Sequence, residues 1–134
     1  MSEPGKRPRI VVAEDFVLIQ ENIRRVIQSD CDIVAAVEDG EAALDAVAAH
    51  TPDILLLDVS LPGINGFTVA ERLKHANSPV NVIFVTAHRD KTYADRAFEI
   101  GAKGYILKGN IRTELPAAIR AVTGGGCYRS PLVH

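Results

Sequence analysis

Cysteine, basic excess and long apolar runs are what this chain has little of. Its two cysteines, Cys31 and Cys127, lie far apart without CxxC or nearby histidine spacing. That excludes a disulfide-stapled scaffold and a Cys/His metal finger, and a reduced, cytoplasmic protein is the simplest reading. Cys127, in a glycine-rich tail, is open to an adventitious intermolecular disulfide. A formal charge of -2 lacks the positive field that usually marks nucleic-acid binding. No run approaches membrane-spanning length. The opening Gly5-Lys6-Arg7-Pro8-Arg9 runs straight into a short apolar strand, without the apolar core and cleavage site of a secretory signal. No internal repeat and no second domain are visible. What remains, 134 residues at 47% hydrophobic and 24% charged, suits one globular domain with a respectable core.

The stretch Ile54-Leu55-Leu56-Leu57-Asp58 organises the rest. Four aliphatic residues, entered through Pro52-Asp53 and left through Pro62-Gly63, suit a strand buried on both faces, in the middle of a parallel sheet. Asp58 then stands at the sheet's carboxyl edge, where open α/β folds place their ligands. Before it, Arg9 to Ala13 reads as a strand ending in Glu14-Asp15. Phe16, Ile19, Ile23, Val26 and Ile27 recur at helical spacing through about Gln28. Ile33 to Val37 is a second strand, and an alanine-rich helix follows Asp39-Gly40 until His50-Thr51-Pro52. After Asp58, Phe67 to about His75 is a helix with Phe67, Val69, Ala70 and Leu73 apolar. Val82 to Val85 is a strand finishing at Thr86, and Asp90 begins a helix that Gly101 closes in the left-handed conformation. Tyr105-Ile106-Leu107 is the fifth strand and delivers Lys108. The last helix is expected from Arg112 or Thr113, to keep Pro116 near its start, with Leu115, Ala118, Ile119 and Val122 inward. Residues 124–134 carry Gly124-Gly125-Gly126, are expected to pack little surface, and read as the start of a linker. The result is an α/β domain over 9–123, preceded by a 1–8 extension: a five-stranded parallel sheet with five helices on both faces.

In that topology Glu14, Asp15, Asp58, Thr86 and Lys108 converge on one rim. Two unit charges about 4 Å apart repel by about 4 kcal/mol at an effective dielectric of 20. Three carboxylates against one ammonium leave a surplus of negative charge that a hard divalent ion such as Mg2+ (or Mn2+) matches with oxygen ligands. Such a rim suits phosphoryl transfer onto Asp58, with Lys108 neutralising charge and the Thr86 hydroxyl donating to the transferred group. Ala87 leaves that group room.

Glu14-Asp15, Asp58 with Leu61-Pro62-Gly63-Ile64-Asn65-Gly66, Thr86-Ala87, and Gly101-Ala102-Lys103-Gly104-Tyr105-Ile106-Leu107-Lys108, in that order and spacing, strongly resemble the receiver domain of two-component response regulators. The resemblance implies a flavodoxin-like fold with strand order 2-1-3-4-5. It implies that a histidine kinase phosphorylates Asp58, with the metal held by Asp15, Asp58 and the main-chain carbonyl of Ser60, and Glu14 acting nearby. Thr86 and Tyr105 become switch residues, and Ser60 and His88 occupy the positions that tune the lifetime of the phosphoryl group. A regulatory domain with Mg2+-assisted self-phosphorylation and slow autodephosphorylation is implied, and phosphorylation shifts a population toward a partner-binding or dimeric state. The tail Gly124-Gly125-Gly126-Cys127-Tyr128-Arg129-Ser130-Pro131 resembles the linker of NarL/FixJ-type regulators, which leads to a helix-turn-helix DNA-binding domain absent here. Gly109 stands where many receivers carry proline, so no cis peptide is expected there.

Plainer readings stand beside these. Asp58 alone is an ordinary strand-end aspartate, Glu14 and Asp15 are favourable charges ahead of a helix, and Tyr105 is core. A haloacid-dehalogenase-type phosphatase would need Asp-x-Asp at the first strand, whereas Asp58-Val59-Ser60 is on the third and lacks the second acid. A dinucleotide site would need GxGxxG after the first strand. A stand-alone receiver that binds a protein target directly is the remaining alternative.

Overall fold

The computed structural model describes residues 6–134. Most of the expected 1–8 extension therefore lies outside the described residues. Its end is tied down: the Arg7 guanidinium donates to the carbonyls of Gln28, Ser29 and Cys31 and pairs with Asp32 at 2.7 Å. The elements that follow are β1 (Arg9–Ala13), α1 (Val17–Ile27), β2 (Asp32–Val37), α2 (Gly40–His50), β3 (Ile54–Leu57) and α3 (Gly66–His75). Then come β4 (Asn81–Thr86), α4 (Lys91–Ile100), β5 (Gly104–Leu107), α5 (Ile111–Thr123) and β6 (Tyr128–Arg129). All strands pair in parallel, in the order β2-β1-β3-β4-β5-β6.

Alternate residues of each strand enter different cores. On β3, Leu55 and Leu57 face the cluster built with α2, α3 and α4, while Ile54 and Leu56 face the one built with α1 and α5. Both faces need every second residue, which is why four aliphatics in a row make a strand here. Each such leucine stabilises the fold by about 1.5–3 kcal/mol through burial. The expected apolar stripes of α3 and α5 are all buried. Asp39 caps α2 by accepting from the Ala42 amide at 2.8 Å, and Asn65 caps α3 through the Thr68 amide at 3.0 Å. Gly101 closes α4 at φ 109°, a conformation that only glycine adopts freely.

Four expectations need correction. The sheet has six strands rather than five, because Tyr128–Arg129 adds to the β5 edge. With it, the tail packs instead of trailing: Ser130 is 2% exposed, and Leu132 and Val133 lie against the core. Phe16 is not on the inward stripe of α1; it precedes the helix and is 63% exposed. Finally, α5 starts at Ile111 and encloses Pro116. Burial of Ile111, at 1% exposure, favours the early start at the expense of the hydrogen bond that a proline cannot donate.

Candidate functional site

Strand register builds the site. β1 and β3 run side by side with Ala13 opposite Leu57, so the next residues, Glu14 and Asp58, emerge together. The Asp58 amide donates to the Ala13 carbonyl at 3.1 Å, which continues the ladder to the acid itself. Leu57 pairs with Phe84 and Thr86 with Leu107, so β4 and β5 end at the same rim with Thr86 and Lys108. Gly66 holds the far side. A Cβ there would collide with the Asp58 carbonyl and lie 2.9 Å from the Val59 Cα, so only glycine lets α3 begin this close to the acid.

Lys108 is the hub. Its Nζ lies 2.8 Å from Asp58 Oδ2 and 2.7 Å from Glu14 Oε1. Glu14 and Asp58 are 1% and 3% exposed, so these charges meet away from bulk water. Burial draws the Lys108 ammonium down, but hydrogen bonds to Asp58 and Glu14 outweigh it and hold the group above the usual lysine value. Burial likewise pushes the Glu14 carboxyl up, against the lowering effect of Lys108 and of the Phe16 amide, which donates to it at 3.1 Å. Asp58 Oδ1 accepts from the Ser60 amide at 3.2 Å. One ammonium thus lies within ion-pair distance of two acids and hydrogen-bonds Asp58, while Glu14 Oε1 and Asp15 Oδ1 are both buried with no hydrogen-bond partner among the described residues. Glu14, Asp15 and Asp58 each bring a carboxylate oxygen within 4.8 Å of the others. Crowded oxygens, surplus negative charge and an orphaned acceptor fit a hard divalent cation such as Mg2+.

The remaining predicted residues form a second layer. Thr86 is fully buried, and its Oγ1 accepts from the His88 amide at 3.2 Å. Tyr105 is also fully buried, with its hydroxyl donating to the His88 carbonyl at 2.7 Å. Burial raises that phenol well above its usual range. Ser60 Oγ and His88 Nε2 hydrogen-bond at 3.0 Å, and the His88 ring stacks on Tyr93 at 4.4 Å. Sequence reasoning named Ser60 and His88 separately but not their contact, which carries no signal at a spacing of 28 residues. It also missed Gln20, whose side-chain amide donates to the Glu14 carbonyl, and Phe16, whose ring centre is 5.3 Å from Lys108 Nζ.

Residues 10–120 match the family described as the response regulator receiver domain. The chain belongs to that family. A probable transcriptional regulatory protein NarL of Mycobacterium tuberculosis is 34% identical to this receiver domain over 122 residues, covering 89% of this chain and 56% of its own length. The transcriptional regulatory protein DegU of Brevibacillus brevis is 32% identical over 127 residues, covering 93% of this chain and 54% of its own length. A solved two-component response regulator of the LuxR family from Aurantimonas sp. SI85-9A1 superposes with a TM-score of 0.90 at 30% identity, covering 96% of this chain and 93% of that one. The receiver domain is thus that of a two-component response regulator of the NarL/LuxR type, and it spans about half the length of the curated relatives it matches. Among its described residues, no helix is long and apolar enough to cross a membrane.

Proposed function

We propose that Asp58 is the phosphoacceptor of this receiver domain. The observation that carries the reading is a strand-end aspartate 3% exposed, joined at 2.8 Å to a lysine that it shares with a second buried acid. An Asp58 carboxylate oxygen forms the new O–P bond as the P–N bond of a histidine kinase's phosphohistidine breaks, and the imidazole leaves. Asp15, Asp58, the Ser60 main-chain carbonyl and, close by, Glu14 would hold Mg2+ (or Mn2+), which when bound supplies positive charge opposite the phosphoryl oxygens. Lys108 supplies a second, fixed positive charge. The Thr86 hydroxyl, whose oxygen accepts from the His88 amide, keeps its own proton to donate to the phosphoryl group. Tyr105 packs behind it, and Ser60 with His88 limits water's approach, which sets the phosphoryl lifetime.

The domain acts as a cytoplasmic regulatory switch rather than a turnover enzyme. Residues 9–123 carry the phosphoacceptor machinery, and 124–134, which add Tyr128–Arg129 to the sheet, lead toward a DNA-binding output that phosphorylation controls, through dimerisation of the receiver. Incubation with acetyl phosphate and Mg2+, followed by intact-mass measurement, tests the acceptor. One phosphoryl adduct is expected on the wild type, none on Asp58→Asn, and little without divalent metal. An adduct of equal yield on Asp58→Asn would overturn the assignment.

A further inference from the structure

We infer that the tail is a latch, docked on the β5 edge, whose docking and the occupancy of Asp58 reinforce one another. The inference rests on Asp58 being the phosphoacceptor, and it concerns what that site controls inside this chain.

The docking is built into the domain. Glu114 on α5 is a carboxylate only 5% exposed. Its two oxygens are satisfied from the tail, Oε1 by the Tyr128 hydroxyl at 3.1 Å and Oε2 by the Ser130 hydroxyl at 3.0 Å. A buried charge without partners is costly, so the α5 surface is made to be covered by this segment. Backbone pairing adds to it: the Tyr128 amide donates to the Lys103 carbonyl at 2.9 Å, and the Ser130 amide to the Tyr105 carbonyl at 2.9 Å. Arg129 bonds Asp95 of α4 at 2.9 Å.

The same segment touches the loop that faces Asp58. Tyr105, whose carbonyl holds Ser130, donates its hydroxyl to the His88 carbonyl. Further along, the His134 amide donates to the Arg89 carbonyl at 3.0 Å, and the Lys91 amide donates to the His134 carbonyl at 2.6 Å. That loop also bears Thr86 and the His88 contact with Ser60. Residues 86–91 are therefore clamped between the acceptor site and the tail. In the docked state the Thr86 oxygen accepts from the His88 amide and the Tyr105 hydroxyl donates to the His88 carbonyl, so docking holds in place the hydroxyl that the proposed phosphoryl contact uses. Docking favours occupancy, and by linkage occupancy favours docking by the same factor. A tail held more tightly when Asp58 is occupied carries the state of Asp58 to the far edge of the sheet.

Hydrogen exchange of the full chain with and without beryllium fluoride plus Mg2+ tests this. Fluorine NMR of the same samples reports whether a beryllofluoride adduct forms. Protection of the Tyr128 and Ser130 amides is expected to rise about five-fold or more on adduct formation. The double variant Tyr128→Phe/Ser130→Ala, which strips Glu114 of its donors, is expected to bind beryllofluoride more weakly by a matching factor. An adduct with unchanged exchange at 128 and 130, or equal affinity in a double variant whose tail amides have lost protection, overturns the latch alone. Absence of any adduct overturns the acceptor reading and the latch with it.

Discussion

Replacing Lys108 with methionine removes the one cation that, among the described residues, pairs with the acidic rim, while keeping the length of the side chain. In the native protein its Nζ is 2.7 Å from Glu14 Oε1 and 2.8 Å from Asp58 Oδ2, with the two acid side chains 2% and 4% exposed. Loss of one member of a buried pair typically costs about 3–5 kcal/mol. The lower figure, about 3 kcal/mol, is expected at pH 7.5, because one acid escapes the repulsion by taking up a proton. The sign of the pH dependence follows. Without the ammonium, the folded-state carboxyl pKa rises further above its unfolded value, so the folded protein binds the extra proton more tightly. Stability is then retained below the ordinary carboxylate value and lost as pH rises through the raised one. The penalty relative to wild type should therefore shrink from pH 7.5 to pH 5. Mg2+ should restore part of it, since a ligand at a hundred times its Kd adds about 2.7 kcal/mol. Urea unfolding of both proteins at the two pH values, with and without Mg2+, measures all three effects. A loss under about 1 kcal/mol, independent of pH, would refute the idea that this lysine holds the rim together.

Other expectations follow from single features. Glu14→Gln should stabilise the metal-free domain at neutral pH, since burial already raises that carboxyl, yet weaken Mg2+ binding; calorimetric titration and thermal melts read the two. Ser60→Ala severs the contact with His88 and should speed loss of the phosphoryl group by about two- to ten-fold, the value of one hydrogen bond; the decay of the intact-mass adduct measures it, and an unchanged half-life counts against a shielding role. Cys127 is exposed whereas Cys31 is buried, with burial pushing its thiol up. A disulfide reagent should therefore label one thiol in native protein and two in urea. Leu56→Ala, at the centre of the α1–α5 core, should cost about 2–5 kcal/mol in urea unfolding.

Much of this was readable beforehand, for identifiable reasons. The run Ile54 to Leu57 and the stripes of α3 and α5 announce burial through their spacing, and each lies where its periodicity placed it. Glu14, Asp58, Thr86 and Lys108 follow apolar runs directly, so topology alone sends them to one rim. Partner choice was not readable: nothing in the spacing tells which acids Lys108 takes, or that Asp15 is left without one. Nor was β6, because two residues beyond a triple glycine have no periodicity, and what makes them a strand is an exposed β5 edge and the needs of Glu114. Phe16 misled because helical spacing counts an apolar residue without knowing that the helix starts one position later.

The close approach of α3 to the Asp58 strand has a consequence for mutational tolerance. At Gly109, one residue beyond the lysine, an added Cβ meets nothing within 4 Å, so a saturation library should accept many side chains. At Gly66 the same methyl group meets the main chain of Asp58 and Val59. Neither side can yield without shifting the helix or tilting the acid. In a library sorted for retention of the aspartyl phosphate, codons at 66 should collapse to a single amino acid while those at 109 diversify, although 66 borders Asp58 and 109 follows the lysine that pairs with it.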